Sequence, residues 1–408
     1  MLTGPGADGS RLRSVDCLRG VAALGVLAAH AALYGNLSAD RLPKAPVWFQ
    51  DFIFVCSGGR LGVPLFFVIS GFCIHLGWAK RRAVSKCVNS DFLAFWRRRM
   101  RRLYLPYLAA LTFSVSLVLI AISRKMSTPL LNYPEPRHWW ILGDFAAHAL
   151  MLHGLIPKFD HMGGNPALWT LAREEYLYML YFVLLPIRRV FDSAISTVFS
   201  LAIGLSFFGV MRVVLSPTSV WWPIVLTSAL CLWIQWSLGM LAAESYFGLY
   251  RLPSIFLRLR YVLFWGLLAE LSERYAIVLS PLAWGLCFFT LVNCFVEAEK
   301  QGRWPKSGWS SRVVNWLSGI GLFSYSLYLV HYPLRGVVKY MLPRLVDTSS
   351  PFVYLSTVGI IVAVGLAGGK LFFLLIEKHF LSSNGQKAAM RVANSQRKIV
   401  TEVGASAG

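Results

Sequence analysis

The sequence predicts an all-α, polytopic integral membrane protein of about ten transmembrane helices, and three observations lead there. The 408 residues are 56% hydrophobic and only 14% charged, whereas a soluble domain carries about 25% charged residues. Apolar runs of about twenty residues, the length that crosses a hydrocarbon core as a helix, recur from end to end. The alternating segments of about ten residues that a barrel requires are missing, and only helices and closed barrels satisfy their backbone in lipid.

The runs fall at 15–35, 61–79, 103–123, 167–187, 193–215, 221–243, 255–271, 275–296, 314–336 and 352–376. The stretch 138–155, HWWILGDFAAHALMLHGL, is apolar but interrupted by Gly143, Asp144 and His148, which predicts an interfacial or re-entrant helix. Orientation follows from the basic linkers. Linker 80–102 carries nine Lys/Arg and is expected in the cytoplasm, together with the N-terminus and its Arg11 and Arg13. Ten spans then return the basic tail, with Lys378, Lys387, Arg391, Arg397 and Lys398, to the same side and leave 124–166 outside. The expected divisions are a cytoplasmic tail over 1–13, a membrane domain over 14–380 and a disordered polar tail over 381–408.

The net charge of +21 does not indicate nucleic acid, because the Lys and Arg cluster in short linkers between apolar runs. Seven cysteines, odd in number and mostly inside apolar runs, suit neither a disulfide framework nor a zinc site. His148, His153 and His161 are spaced by five and eight, which does not put three ligands on one helical face, so no metal site is expected. No internal repeat is evident.

Arg19 and His30 stand out, eleven positions apart inside the first apolar run. Eleven residues are close to three helical turns and about 16 Å of rise, so both side chains lie on one stripe. Either they face a bundle cavity, since lipid exposure is costly, or Arg19 snorkels to the interface while His30 bridges two helices. Further on, Ser70 lies among glycines in GRLGVPLFFVISGF, where packing and pocket roles both fit. FWRRRMRRLYLPY places Arg97, Arg98, Arg99, Arg101 and Arg102 at one mouth of the third run, more arginine than orientation requires. Arginine is suited to bidentate grip on phosphate. In LWTLAREEYLY, Trp169, Glu174 and Glu175 lie on or beside a membrane helix; an acid near a histidine can orient the imidazole. SYSLYLVHYPL adds Tyr325, Tyr328 and His331, with His331 expected near the outer end of its span.

Together these segments resemble the membrane acyltransferase-3 family over roughly residues 14–380, in five motifs in the family's order. Arg19 and His30 fit its Arg, ten residues, His pattern. GVPLFFVISGF is similar to its GVxxFFxxSGF segment, FWRRRMRRLYLPY to its basic proline-containing motif, LWTLAREEYLY to its W-S/T-L-x-x-E segment, and SYSLYLVHYPL to its SYxxYLxH motif. Two departures are the Ala172–Arg173 pair and IEKHF, where His379 stands in place of proline.

The resemblance implies a bacterial inner-membrane enzyme that moves an acyl group, commonly acetyl, from cytoplasmic acyl-CoA to a hydroxyl of a glycan or glycolipid. It implies His30 as general base, or as the carrier in an acyl-histidine relay, with Arg19 steadying the donor or its carbonyl oxygen. Arg97, Arg98, Arg101 and Arg102 would hold coenzyme A phosphates, and Glu174 or Glu175 would orient a polar partner. Ser70, Trp169, Tyr325, Tyr328 and His331 would form the substrate site. Acyl-CoA is thus expected as donor substrate, with no permanently bound cofactor. The competing class is a transporter or flippase whose charged side chains line a path.

Overall fold

The computed structural model describes residues 12–32, 46–85, 91–124, 138–159, 164–342 and 350–381. The expected disorder of the polar tail, His161 and Cys87 fall outside these residues. Among the described residues there is no β-strand. The helices are α1 (Arg13–Ala32), α2 (Val47–Ser57), α3 (Gly62–Val84), α4 (Phe92–Arg99), α5 (Leu105–Ser123), α6 (His138–Ala149), α7 (Trp169–Val190), α8 (Ser193–Val214), α9 (Trp222–Leu226), α10 (Ala229–Tyr246), α11 (Arg260–Tyr275), α12 (Ser280–Lys300), α13 (Gly308–Leu322), α14 (Ser324–Met341) and α15 (Pro351–Leu375).

Every apolar run of the sequence overlaps a helix, with 221–243 and 314–336 each divided between two, yet fewer than ten helices meet the requirements of a span. Seven helical segments are long and apolar enough to cross a membrane, and α13 with α14, bent by 73°, makes an eighth if the pair is one broken span. Helix α7 has 22 residues, but Arg173, Glu174, Glu175, Arg188 and Arg189 lower its hydropathy. Three of these are buried inside the bundle: Arg173, Glu175 and Arg188. Helix α11 has only 16 residues, about 24 Å at helical rise. Its Leu263, Phe264, Leu267 and Leu271 are all exposed.

The bundle is centred on α10, with 72% of its apolar window buried, while α8 and α15 lie at the edge with 17% and 28%. Without a hydrophobic drive between helices in lipid, close packing depends on small residues. A Cβ on Gly71 of α3 would fall 2.0 Å from the Trp236 carbonyl oxygen, and one on Gly239 of α10 would fall 2.0 Å from that of Val68. The same logic joins α1 to α13, where a Cβ on Gly321 would meet the Asp16 carbonyl oxygen at 1.9 Å. At its start, α1 is tied to the end of α12: Glu299 accepts from the Arg13 and Ser14 amides at 3.0 and 2.8 Å.

Helix α6 occupies the stretch expected to be interfacial or re-entrant. Its 12 residues reach about 18 Å, short of the ~30 Å hydrocarbon core. Its last turn is fastened to the first turn of α5, where the Tyr107 hydroxyl donates to the His148 carbonyl at 2.9 Å and Tyr104 donates to that of Ala149. The chain returns past Gly164, which lies against Val118 and the Ser114 carbonyl higher on α5.

Candidate active site

A cavity opens inside the bundle where α1, α3, α7, α13 and α14 converge. It is lined by Arg19, Ser70, Thr170, Glu174, Tyr178, Tyr325 and Tyr328, with Arg99 and Arg102 at the arginine-rich end and Glu377 just beyond α15. Local folding explains how each arrives. The backbone contact at Gly321 draws α1 against α13 and turns Arg19 inward. The backbone contact at Gly71 sets the neighbouring Ser70 beside Trp236, whose Nε1 donates to the Ser70 hydroxyl at 3.3 Å. Ser70 in turn donates to Glu174 Oε1 at 2.6 Å, and the Tyr178 hydroxyl donates to the same oxygen at 2.5 Å. Both bonds fall on one carboxylate oxygen.

Between α4 and α5 the helix widens to a π-turn over Met100–Tyr104. Pro106 is the cause: it lacks an N–H and its ring crowds the carbonyl four residues back. Such bulges recur at functional sites. Here the Tyr325 hydroxyl donates to the Leu103 carbonyl at 2.7 Å, which docks the start of α14 onto the turn. The widened turn splits the arginine cluster. Arg99 and Arg102 line the cavity, Arg102 being also exposed at its edge, whereas Arg97, Arg98 and Arg101 are exposed and contribute nothing to its walls.

The opposite side of the site is histidine. Helix α14 begins afresh at Ser324, whose hydroxyl takes the Gly321 carbonyl freed by the break, at 2.9 Å. The bend swings α14 under α1, so that His331 Nε2 lies 3.0 Å from His30 Nδ1. His331, expected near the outer end of its span, is 2% exposed inside the bundle. Neither histidine lines the cavity itself. Tyr328 stands between, one face in the cavity and its ring centroid 5.6 Å from that of His331. The Thr170 hydroxyl donates to the Tyr328 oxygen at 2.7 Å, and Tyr328 donates to the Ala167 carbonyl at 2.9 Å. Arg19 and His30 thus lie on one helix but at opposite sides of the Tyr328 layer.

Other expected residues fall elsewhere. Glu175 is buried in a small side pocket with Tyr104 and Met151, adjoining the cavity at Glu174 and Tyr178. Trp169 is absent from the cavity wall, and the Arg173 guanidinium lies over its ring at 6.0 Å. His148 and His153 stack at 3.9 Å with planes 7° apart, and no group that suits a metal ion occurs among the described residues. The six described cysteines are free. Sequence reasoning overlooked Glu377, which accepts from the Ser326 amide at 3.1 Å and from its hydroxyl. Its only signal was the IEKHF segment noted above.

The fold and the site together define an integral-membrane helical protein with an arginine-mouthed polar cavity backed by a histidine pair. A family model described as the acyltransferase domain, that of acyltransferase-3, matches residues 12–368. The chain belongs to the acyltransferase-3 family. It is 31% identical over 133 residues to YrhL of Bacillus subtilis (strain 168), named as a candidate peptidoglycan O-acetyltransferase; the match covers 31% of this chain and 19% of that protein. It is 29% identical over 133 residues to the O-acetyltransferase OatA of Staphylococcus aureus (strain NCTC 8325 / PS 47), over 31% of this chain and 20% of that protein. The chain therefore aligns with about a fifth of the length of these curated relatives. No solved structure matches it.

Proposed function

We propose that this protein is an O-acetyltransferase that takes acetyl from acetyl-CoA on the cytoplasmic side and passes it to a hydroxyl of a cell-envelope glycan or glycolipid. The observation that carries this reading is the cavity, in which Arg19, Arg99 and Arg102 stand beside the hydroxyls of Ser70, Thr170 and three tyrosines and the carboxylates of Glu174 and Glu377. The names of YrhL and OatA support acetyl as the group moved, and that of YrhL makes a peptidoglycan acceptor the first to try.

Arg99 and Arg102 suit the anionic end of the donor, because guanidinium grips phosphate in two-pronged fashion. Arg19 lies deeper, about 16 Å of helix rise from His30, so its place is on the donor rather than on the reacting carbonyl. The thioester would then reach the Tyr328 layer from the arginine end, and the acceptor hydroxyl would come from the side of His30. There His30 Nε2 takes the hydroxyl proton as the oxygen attacks the thioester carbon. The tetrahedral intermediate collapses, the C–S bond breaks, and the coenzyme A thiolate leaves and recovers the proton. A positioned base contributes about 10²–10⁴-fold.

The test is free-thiol release from acetyl-CoA by purified protein with a glycan or glycolipid extract as acceptor, beside His30→Ala and Arg19→Ala. Thiol release that needs the extract and vanishes in both variants supports the reading. Absence of release with every acyl-CoA, from folded protein, overturns it in favour of a transport role for the cavity. Release undiminished in His30→Ala removes the base from His30.

A further inference from the structure

We infer that His331 is a positioning residue that holds His30 in one tautomer, with a hydrogen on Nδ1 and an open lone pair on Nε2. This deepens the proposed function, since it rests on His30 as the base. The assignment follows from the acceptors around the pair. His331 Nδ1 faces two backbone carbonyls, Tyr328 at 2.8 Å and Leu327 at 3.2 Å. A carbonyl only accepts, so that nitrogen carries hydrogen. A neutral imidazole has one donor and one acceptor, which leaves a lone pair on His331 Nε2. That lone pair points at His30 Nδ1, 3.0 Å away, so His30 Nδ1 must donate. The Val26 carbonyl, one turn earlier on α1, is a second acceptor for the His30 ring. The proton of the neutral His30 is thereby spent on Nδ1, and Nε2 is left bare.

Two ring contacts hold the arrangement. The two rings lie 5.0 Å apart and tilted by 36°, so they meet through their edges. Tyr332 stands edge-on to His30 at 5.5 Å and 82°, which hinders a flip of the ring. The His331 backbone position is set by the break at Phe323, so its ring cannot follow α1 if α1 moves. When His30 Nε2 gains a proton, the resulting imidazolium still donates through Nδ1 to the His331 lone pair. The second histidine thus does for the first what a carboxylate does in a triad, holding tautomer and orientation, and it does so without a buried charge.

The experiment uses the full-length protein in lipid bilayers with ¹⁵N-labelled histidine. Solid-state NMR reads the two His30 ring nitrogens, identified by their loss in His30→Asn. The expected spectrum has a protonated Nδ1 and an unprotonated Nε2 for His30, and a mixture of both tautomers in His331→Leu. A protonated Nε2 in the unmodified protein overturns the inference, whatever the activity. The kinetic arm asks whether an acceptor alone is enough. His331→Gln can put an amide oxygen where Nε2 was, and His331→Leu cannot. With folding checked by thermal unfolding, His331→Leu should lose about a hundredfold or more in kcat with KM for acetyl-CoA changed less than twofold, and His331→Gln should recover most of it. Full kcat in His331→Leu beside a dead His30→Ala overturns the inference but spares the base. An active His30→Ala overturns the base itself, and the NMR arm still decides the tautomer.

Discussion

Ser70 donates to Glu174 Oε1 at 2.6 Å, and this bond joins α3 to α7 across the cavity wall. Tyr178 donates to the same oxygen at 2.5 Å. A carboxylate bound twice on one oxygen keeps its other oxygen for whatever enters the cavity. Glu174→Ala strands two hydroxyls and should cost about 1–3 kcal/mol of stability, seen as a lowered midpoint of thermal unfolding in detergent. Glu174→Gln keeps an accepting oxygen and should hold that midpoint. If the carboxylate's charge acts on substrate, Gln should nevertheless lower thiol release at least about tenfold, a loss of ~1.4 kcal/mol. Unchanged release in Gln would reduce Glu174 to a structural clamp.

A second expectation concerns two glycines of one helix. Gly71 abuts the Trp236 carbonyl, so Gly71→Ala must push α3 and α10 apart, whereas the nearest atom to a Cβ on Gly77 is a flexible arginine tip at 3.8 Å. Gly77→Ala should stabilise by up to about 1 kcal/mol, the helix-propensity difference. Gly71→Ala should destabilise and lower activity, because Ser70 rides on the same contact. Equal unfolding midpoints for the two variants would contradict the packing described here.

The helices were legible because an unbroken apolar run in lipid bonds its backbone within itself, although only seven or eight of the ten expected spans are long and apolar enough to cross. The single helix carrying Arg19 and His30 was legible too, though only Arg19 reaches the cavity while His30 meets His331. What the sequence hid were breaks in helices. Nothing in GIGLFSYS announces the bend at Phe323, because it arises from α13 packing backbone to backbone on α1 at Gly321. Without that bend His331 lies at the end of a straight span, far from His30. The π-turn before Pro106 was similarly hidden, and it alone decides which arginines of a nearly unbroken run face inward. Glu377 was obscured by lying past the last apolar residue, where a carboxylate reads as surface.

The third expectation follows from that split of the arginine cluster. A charge-assisted hydrogen bond contributes about 1.5–3 kcal/mol, equivalent to about 10- to 150-fold in affinity. Arg99→Ala and Arg102→Ala should each raise KM for acetyl-CoA within that range. Arg97→Ala, Arg98→Ala and Arg101→Ala, outside the cavity wall, should change it less than about fivefold, as exposed charge pairs contribute roughly 1 kcal/mol or less. Uniform effects across all five positions would mean the donor reads the general charge of this end rather than the cavity mouth.

The last expectation needs no turnover. Cys73 lines the cavity together with Arg19 and Arg102, so a donor seated there covers it. In a variant that keeps Cys73 and replaces the other six cysteines by alanine, a small charged thiol reagent should modify Cys73 slowly, through the cavity mouth alone. Coenzyme A, which carries the phosphates but no acyl group, should slow that modification in a saturable way. Arg99→Ala and Arg102→Ala should shift the protection to higher coenzyme A concentrations by the same factor as they raise KM. Because the readout is modification rather than catalysis, it separates a cavity that binds donor but lacks its acceptor from one that never binds donor. Modification indifferent to coenzyme A at millimolar concentration would remove the donor from this cavity, and with it the roles assigned to Arg99 and Arg102.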